Sequence, residues 1–452
     1  MEKLTIILSA LPAVLAVGGA FYLLKLKAFF FVHPIKTVRL MFSDKSQLRQ
    51  LSLSLAGTLG VGNIVGVAVA VSLGGAGAVF WMWLSALASA VLKYAEIVLA
   101  VKYREYGADG QIRGGPMYYM KSGVGGKFGR ALAAVFAALG ASMAFIMGNL
   151  VQARAAVGAA EAIFNVPPIA VGILLAALCA MSLFGGFDTV SRVTSAVVPL
   201  MSAGYIAVSL WIILSHLGSV PHVLGEIFSS AFDFSAAGGG VFGFLLGGAV
   251  RHGVLKGAYS HEAGGGTAPL SHAQTKIKSP GREGLLGLFE VFFDTIIICT
   301  LTALVILLDG NVSGGVDAVS NAFRRFCGDA GVCAVMISIA FFAFSTMICW
   351  GYYGTACLEY LCKSRRAKNI YLALYCAAAV LGSVVGEGRA WALTDAGVAL
   401  MTYVNLVAVV ALWRDVKSET ALLDITYRKA KAVRSRITDT SERNPTPRSR
   451  CR

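Results

Sequence analysis

Charge is what this sequence has least of. Asp, Glu, Lys and Arg make up 14% of its 452 residues, against ~25% in soluble domains. A chain so poor in charge cannot cover a water-facing surface, which excludes a soluble globular protein. Metal-ligand patterns are missing too. There are nine cysteines, but no C-x-x-C pair and no Cys/His cluster with ligand spacing. His261, Glu262 and His272 lack the H-E-x-x-H spacing and do not read as zinc ligands. A nucleophile with its base is missing as well, so an intramembrane hydrolase is not expected. Most cysteines fall in apolar runs, where a thiol behaves as a small apolar side chain. Cys327 and Cys333 share one predicted outside loop, which leaves a disulfide between them open. No A-x-A cleavage site follows the first apolar run, so that run reads as a retained span.

What the chain does have is apolar length. Hydrophobic residues make up 57%, and mean hydropathy is +0.71. A bilayer core takes about 20 apolar residues per helix. Apolar runs fall at 4–24, 50–73, 76–101, 131–160, 168–184, 195–215, 239–250, 287–308, 331–361, 369–385 and 391–413. These runs are continuous, whereas a membrane β-barrel alternates polar and apolar in segments of about 10. The expected class is an all-α polytopic membrane protein of about eleven spans. Lys and Arg gather in loops 25–49, 102–130, 251–286 and 362–368 and are sparse in the loops between. By the positive-inside rule the N-terminus is expected outside and the C-terminus in the cytoplasm. The net charge of +15 then reflects topology and anionic headgroups, and no nucleic-acid partner is implied. Residues 414–452 form a basic cytoplasmic tail, read as mobile, with a helical start near 417–437.

With the first helix (4–28) set aside, the transporter domain (1–413) divides into two groups of five spans, about 50–217 and 238–413. An odd number per group inverts the second relative to the first, a plan common among secondary transporters. The first span of each group is badly built for a membrane. One contains GTLGVGNIVG at 57–66; the other, GGGVFGFLLGGAV at 238–250, runs into RHGVLKGAYSHEAGGG. Each glycine costs a helix about 1 kcal/mol relative to Ala. Unwound backbone is tolerated at membrane depth only where it lines a cavity or is buried in protein. A break offers carbonyls to a cation and N–H groups to a carboxylate, which suits a zwitterion carried with a cation. The alternative is close helix packing, since Gly62 and Gly66 have G-x-x-x-G spacing.

Polar residues inside apolar runs mark further candidates. Asn63 lies in the first break, and Ser260, His261 and Glu262 adjoin Gly264–Gly266 in the second. Arg251, His252 and Lys256 read as solvated loop charges. Asn149 and Gln152 share a helix face. Asp294 opens an apolar run, and Ser345 and Thr346 are adjacent hydroxyls within another. Lys93 and Glu96, three apart in VLKYAEI, are expected to pair. Hydroxyls, carboxylates and carbonyls suit hard cations, although hydroxyls in spans often bond their own helix.

The stretch GGAGAVFWMWLSALASAVLKYAEIVLAVKYRE (74–105) closely resembles the signature of the alanine/glycine:cation symporters, the sodium:alanine symporter family. The likeness extends through AGTLGVGNIVGVA, GGPMYYM, GNLVQA, GAYSHEAGGGTAP, FFDTIIICT and FAFSTMICWGYYG. It implies a leucine-transporter-like five-plus-five inverted repeat with one extra N-terminal helix, in a bacterial-type inner (plasma) membrane. It also implies import of alanine or glycine with Na+ by alternating access, and no organic cofactor. By the same resemblance, substrate would meet Thr58, Gly60, Gly62, Asn63, Gln152, Ser260, His261 and Glu262. Sodium would meet Ser345 and Thr346 with the backbone of Leu59 and Gly62. The alternative keeps the fold but couples it to protons or carries another small amino acid. Five positions depart from the family pattern: Val61, Ser89, Arg154, Ala155 and His261, where Thr, Gly, Asn, Ser and Asn are usual.

Overall fold

The computed structural model describes residues 2–41, 47–107, 110–164, 166–232, 248–311 and 314–426. Helices dominate. The one strand pair among the described residues is a short antiparallel ribbon, Glu105–Tyr106 against Ile112–Arg113. The main helices are α1 (Glu2–Lys25), α2 (Gln47–Thr58), α3 (Val65–Gly74) and α4 (Gly77–Lys102). Then come α5 (Gly126–Glu161), α6 (Pro168–Leu183), α7 (Gly186–Ser215) and α8 (Val220–Ala231). The remainder are α9 (Gly248–His261), α10 (Ala268–His272), α11 (Pro280–Asp309), α12 (Gly315–Leu361), α13 (Arg365–Gly382) and α14 (Glu387–Ala411).

Six of these, α4, α5, α7, α11, α12 and α14, are long and apolar enough to cross a membrane unaided. The shorter α2/α3 and α9/α10 are the two broken elements, one opening each inverted group of five. α1 is the extra helix. It packs on α4 and α14, and the Tyr22 hydroxyl donates to the Val409 carbonyl at 2.5 Å. α4 is the axle of the molecule. Every residue from Val91 to Ala100 is buried, the all-round burial of an interior helix.

Three expectations change. The loop expected at 251–286 holds α9, the second break and α10, and most of it is buried. Lys256 is therefore not solvated. It is 2% exposed, paired with Asp395 at 2.8 Å, and lies under the Trp391 ring at 4.3 Å. Arg251 ended the apolar run in the sequence and put Lys256 beyond it, but a partner from a distant helix lets Lys256 lie inside. The loop expected at 309–330 is mostly the start of α12, which kinks at Gly328 (φ 61, ψ −156). Cys327 and Cys333 lie there as free thiols. The chain after the last span is not mobile throughout: residues 413–426 are helical and dock on α4. Lys102 reaches Asp415 and Glu419 at 2.8 and 3.3 Å, and Tyr94 meets Thr420 at 2.8 Å. Residues 238–247 of the second glycine-rich run and 427–452 of the tail lie outside the described residues.

Candidate functional site

α2 ends at Thr58, and the chain leaves helical geometry at Leu59 and Gly60 before a 3-10 turn, Val61–Asn63, leads into α3. The turn replaces missing helix bonds with side-chain bonds. Asn63 Oδ1 accepts from the Gly60 N–H at 3.0 Å, and Gln152 Oε1 accepts from the Val61 N–H at 3.2 Å. The Thr302 hydroxyl donates to the Asn63 carbonyl at 2.8 Å. Every such partner satisfies a backbone group that has no water to turn to. Gly62 faces the Tyr259 ring so closely that a Cβ would sit 2.5 Å from a ring carbon. The glycines thus serve both readings at once: they open the helix and permit close packing.

The second break begins at Glu262, held at φ 52, and continues through Gly264 at φ 89. Left-handed backbone favours glycine there. Lys93 donates to the His261 carbonyl at 3.1 Å, and Asn405 to the Gly264 carbonyl at 2.9 Å.

Between the two breaks lies Asp294, fully buried on a π-helical stretch of α11, Phe292–Cys299. Such wider turns recur at functional sites. Asn63 Nδ2 donates to Asp294 Oδ1 at 2.6 Å. The hydroxyls of Ser260 and Thr295 each donate to Oδ2 at 2.8 Å. All three donors are neutral. Among the described residues no Lys, Arg or His lies within ion-pair distance of this carboxylate. A buried, ionised carboxylate without a counter-ion is costly.

A second oxygen cluster lies on the other side of the first break. Thr346 Oγ1 is 3.1 Å from the Ala56 carbonyl and 3.3 Å from that of Leu59. The adjacent Ser345 hydroxyl instead meets its own helix at the Phe342 carbonyl, 3.0 Å away, and Met201 Sδ at 3.7 Å.

Of the residues singled out in the sequence, the structure brings together Leu59, Gly60, Gly62, Asn63, Gln152, Ser260, Asp294 and Thr346. Gln152 Nε2 donates to the Tyr259 hydroxyl at 3.0 Å and so links both breaks. Asn149 does not join them: a π-helical turn, Ile146–Leu150, precedes Gln152, and Asn149 donates to the Tyr375 carbonyl at 2.6 Å. Thr58 Oγ1 approaches carbonyls of its own helix, those of Ser54 and Leu55, at 3.5 Å. The Glu262 carboxylate accepts from Trp350 Nε1 at 3.0 Å and Thr267 Oγ1 at 2.5 Å. His261 Nδ1 accepts from the Ala263 N–H at 3.0 Å. Lys93 and Glu96 do not pair with each other. Lys93 bridges to Glu290 at 3.0 Å, and Glu96 is held by Asn405, which also takes a bond from Tyr119. Sequence reasoning missed Tyr259 and Thr302, whose roles arise from contacts across the fold.

A family model described as the sodium:alanine symporter family matches residues 2–437. The chain belongs to that family. It is therefore a multi-pass membrane transporter and not an enzyme. It is 37% identical to "Sodium/alanine symporter AgcS" of Methanococcus maripaludis over 90% of this chain and 92% of that one. It is 36% identical to "Putative sodium/proton-dependent alanine carrier protein YrbD" of Bacillus subtilis, over 81% and 78% of the two chains. "Probable sodium/glutamine symporter GlnT" of B. subtilis is 34% identical over 85% and 79%. Among solved structures, MhsT in complex with L-phenylalanine superposes with a TM-score of 0.60. The match covers 83% of this symporter-family chain and 92% of MhsT at 14% identity, and it shows the shared fold.

Proposed function

We propose that this protein imports small neutral amino acids, alanine or glycine, together with sodium by alternating access, and that residues 1–413 do the transport. The observation that carries this reading is the buried Asp294 carboxylate, with its neutral donors from both broken helices. A sodium ion there would neutralise Asp294 and draw the two breaks together, so its binding favours closure. A second sodium would use Thr346 Oγ1 with the Leu59 and Gly62 carbonyls. The Gly60–Gly62 turn offers amides to the substrate carboxylate. In this reading that carboxylate competes with Gln152 Oε1 for the Val61 N–H. The Tyr259 ring closes directly on the Gly62 backbone, so the two breaks meet at this turn. His261 and Glu262 shape the second break through the Ala263 N–H and through Trp350 and Thr267. The reading also places the protein in a bacterial-type inner membrane with the N-terminus outside.

Labelled alanine uptake into proteoliposomes, with an inward sodium gradient or with choline in its place, tests the claim. Sodium-stimulated uptake is expected; its absence for every small amino acid overturns the reading. Proton coupling is the second reading, favoured by the name of one relative. Uptake driven by a pH gradient in sodium-free buffer would select it.

A further inference from the structure

We propose that this protein binds a single proton at a closed site on the side that the basic loops assign to the cytoplasm. His272 holds it as an imidazolium clamped between Glu283 and Glu290, and it exchanges with the cytoplasm only when α10 parts from α11. The site lies apart from the sodium and substrate positions proposed above, and only its effect on uptake rests on the transport reading.

The hydrogen bonds of the ring require the proton. His272 Nδ1 is 2.7 Å from Glu283 Oε1, and Nε2 is 2.7 Å from Glu290 Oε1. A neutral imidazole has one N–H and one bare lone pair, and a carboxylate only accepts. A neutral ring would set that lone pair against a carboxylate oxygen; one added proton lets both nitrogens donate. The other two carboxylate oxygens already have donors. The Thr275 hydroxyl donates to Glu283 Oε2 at 3.0 Å, and Lys93 Nζ is 3.0 Å from Glu290 Oε2. A gap of 2.7 Å takes a hydrogen and not a metal ion, whose bond to each partner would be ~2.0 Å.

The charges agree. Lys93 and the imidazolium balance the two carboxylates, so the set is neutral with the proton and carries one net negative charge without it. All four side chains are 0% exposed, where an uncompensated charge is costly. The surrounding ionisable groups have partners of their own. On α4, Glu96 is held by Asn405. In the second break, His261 Nε2 is 3.4 Å from the Ser85 hydroxyl, and Glu262 accepts from Trp350 and Thr267. On α11, Asp294 has its three neutral donors, and Arg282, beside Glu283, is half-buried. α2 also packs on α10, and none of its described side chains is ionisable. α12 contributes the Tyr353 hydroxyl, 3.3 Å from Ser271 Oγ.

The proton joins moving parts. It ties α10, the second half of the second broken element, to α11, while Lys93 ties Glu290 to α4 and to the His261 carbonyl. Arg104, near the end of α4, donates to the carbonyls of Ala273, Thr275 and Ile277 at 3.1, 2.6 and 3.1 Å. That strap fastens the link between α10 and α11 to α4, so exchange of the proton requires the strap to lift. The protonated form holds the helices together, and its contribution is lost as pH rises through the titration of the site. An alkaline cytoplasm therefore loosens the inner closure.

Solid-state NMR of the full-length protein with isotope-labelled histidine, in lipid, tests the proton directly. The parent is compared with His272→Gln/Glu283→Gln, which removes the imidazolium and one carboxylate together and so keeps the network neutral. At about pH 8 a solvated imidazole of pKa ~6.5 is neutral. One ring with hydrogen on both nitrogens is expected in the parent and none in the double variant. A parent in which all six histidine rings are neutral overturns the proposal, whether or not the variant folds. Right-side-out membrane vesicles loaded with buffers of increasing pH read the consequence. With outer pH and the sodium gradient fixed, parent uptake of labelled alanine should fall as internal pH rises, by at most about tenfold per pH unit for one proton. The double variant should stay level. Parallel falls in the two overturn the link between the proton and the inner closure. A charged ring in a parent that moves no small amino acid overturns the transport reading and leaves the proton site standing.

Discussion

At the scale of single residues, the charge on Asp294 is the decisive feature. Asp294→Asn keeps its size and removes the uncompensated charge. The variant should fold at least as well as the parent in sodium-free buffer. It should lose this ion's share of the sodium-induced stabilisation, about 2.7 kcal/mol when sodium is at 100 times its dissociation constant there. Thermal unfolding in detergent with sodium or choline measures this, and an undiminished sodium shift would count against the site. The two adjacent hydroxyls should separate. Thr346→Ala should raise the sodium needed for half-maximal uptake roughly tenfold, the loss of about one charge-assisted bond. Ser345→Ala should behave like the parent, because its hydroxyl bonds its own helix. A sodium titration of uptake distinguishes them. Asn63, Ser260 and Asp294 were legible as polar residues in apolar runs. That they bond one another across 231 positions of sequence was not.

At the scale of elements, the two breaks depend on glycine in unequal ways. Gly62→Ala would place a Cβ 2.5 Å from the Tyr259 ring, whereas at Gly66 the nearest atom, in the Trp391 ring, is an ordinary 3.5 Å away. Uptake should fall at least tenfold in G62A, since misplacing a site by about 1 Å can cost as much as 100-fold. G66A should stay near the parent, with both expressed at parental levels. Equal uptake by the two variants would show that the turn tolerates a side chain. The glycine runs located both breaks in the sequence, but the burial of the helix that leads into the second was not legible there. Arg251 and Lys256 look like loop residues until Asp395 and Trp391 are placed beside Lys256. The π-helical turns left no periodicity signal of their own, because one extra residue per turn is invisible in a short apolar run.

At the scale of the whole molecule, α4 joins the breaks to the side where the basic loops gather. Lys93 binds the His261 carbonyl and Glu290, Glu290 meets His272 at 2.7 Å, and His272 meets Glu283 at 2.7 Å. A carboxylate only accepts, so each ring nitrogen of His272 donates or faces a protonated carboxyl. All four side chains are fully buried. Lys93→Met leaves Glu290 with His272 as its one charged partner among the described residues and should cost up to about 3–5 kcal/mol. The double variant Lys93→Met/Glu290→Gln should recover part of that, as read by chemical or thermal unfolding. A single variant as stable as the parent would show that the network carries little energy.

The sequence by itself determined the membrane class, the inverted pair of five-span groups and the location of both breaks. Those follow from transfer free energy and helix propensity, which act residue by residue along the chain. Only the tertiary structure decided which polar side chains face one another, and that among the described residues no Lys, Arg or His reaches ion-pair distance of Asp294. It also decided that Lys93 belongs to Glu290 rather than Glu96, and that Lys256 lies inside. Those outcomes depend on electrostatic pairing between distant helices, where a buried charge is tolerable or costly according to a partner that local sequence does not name.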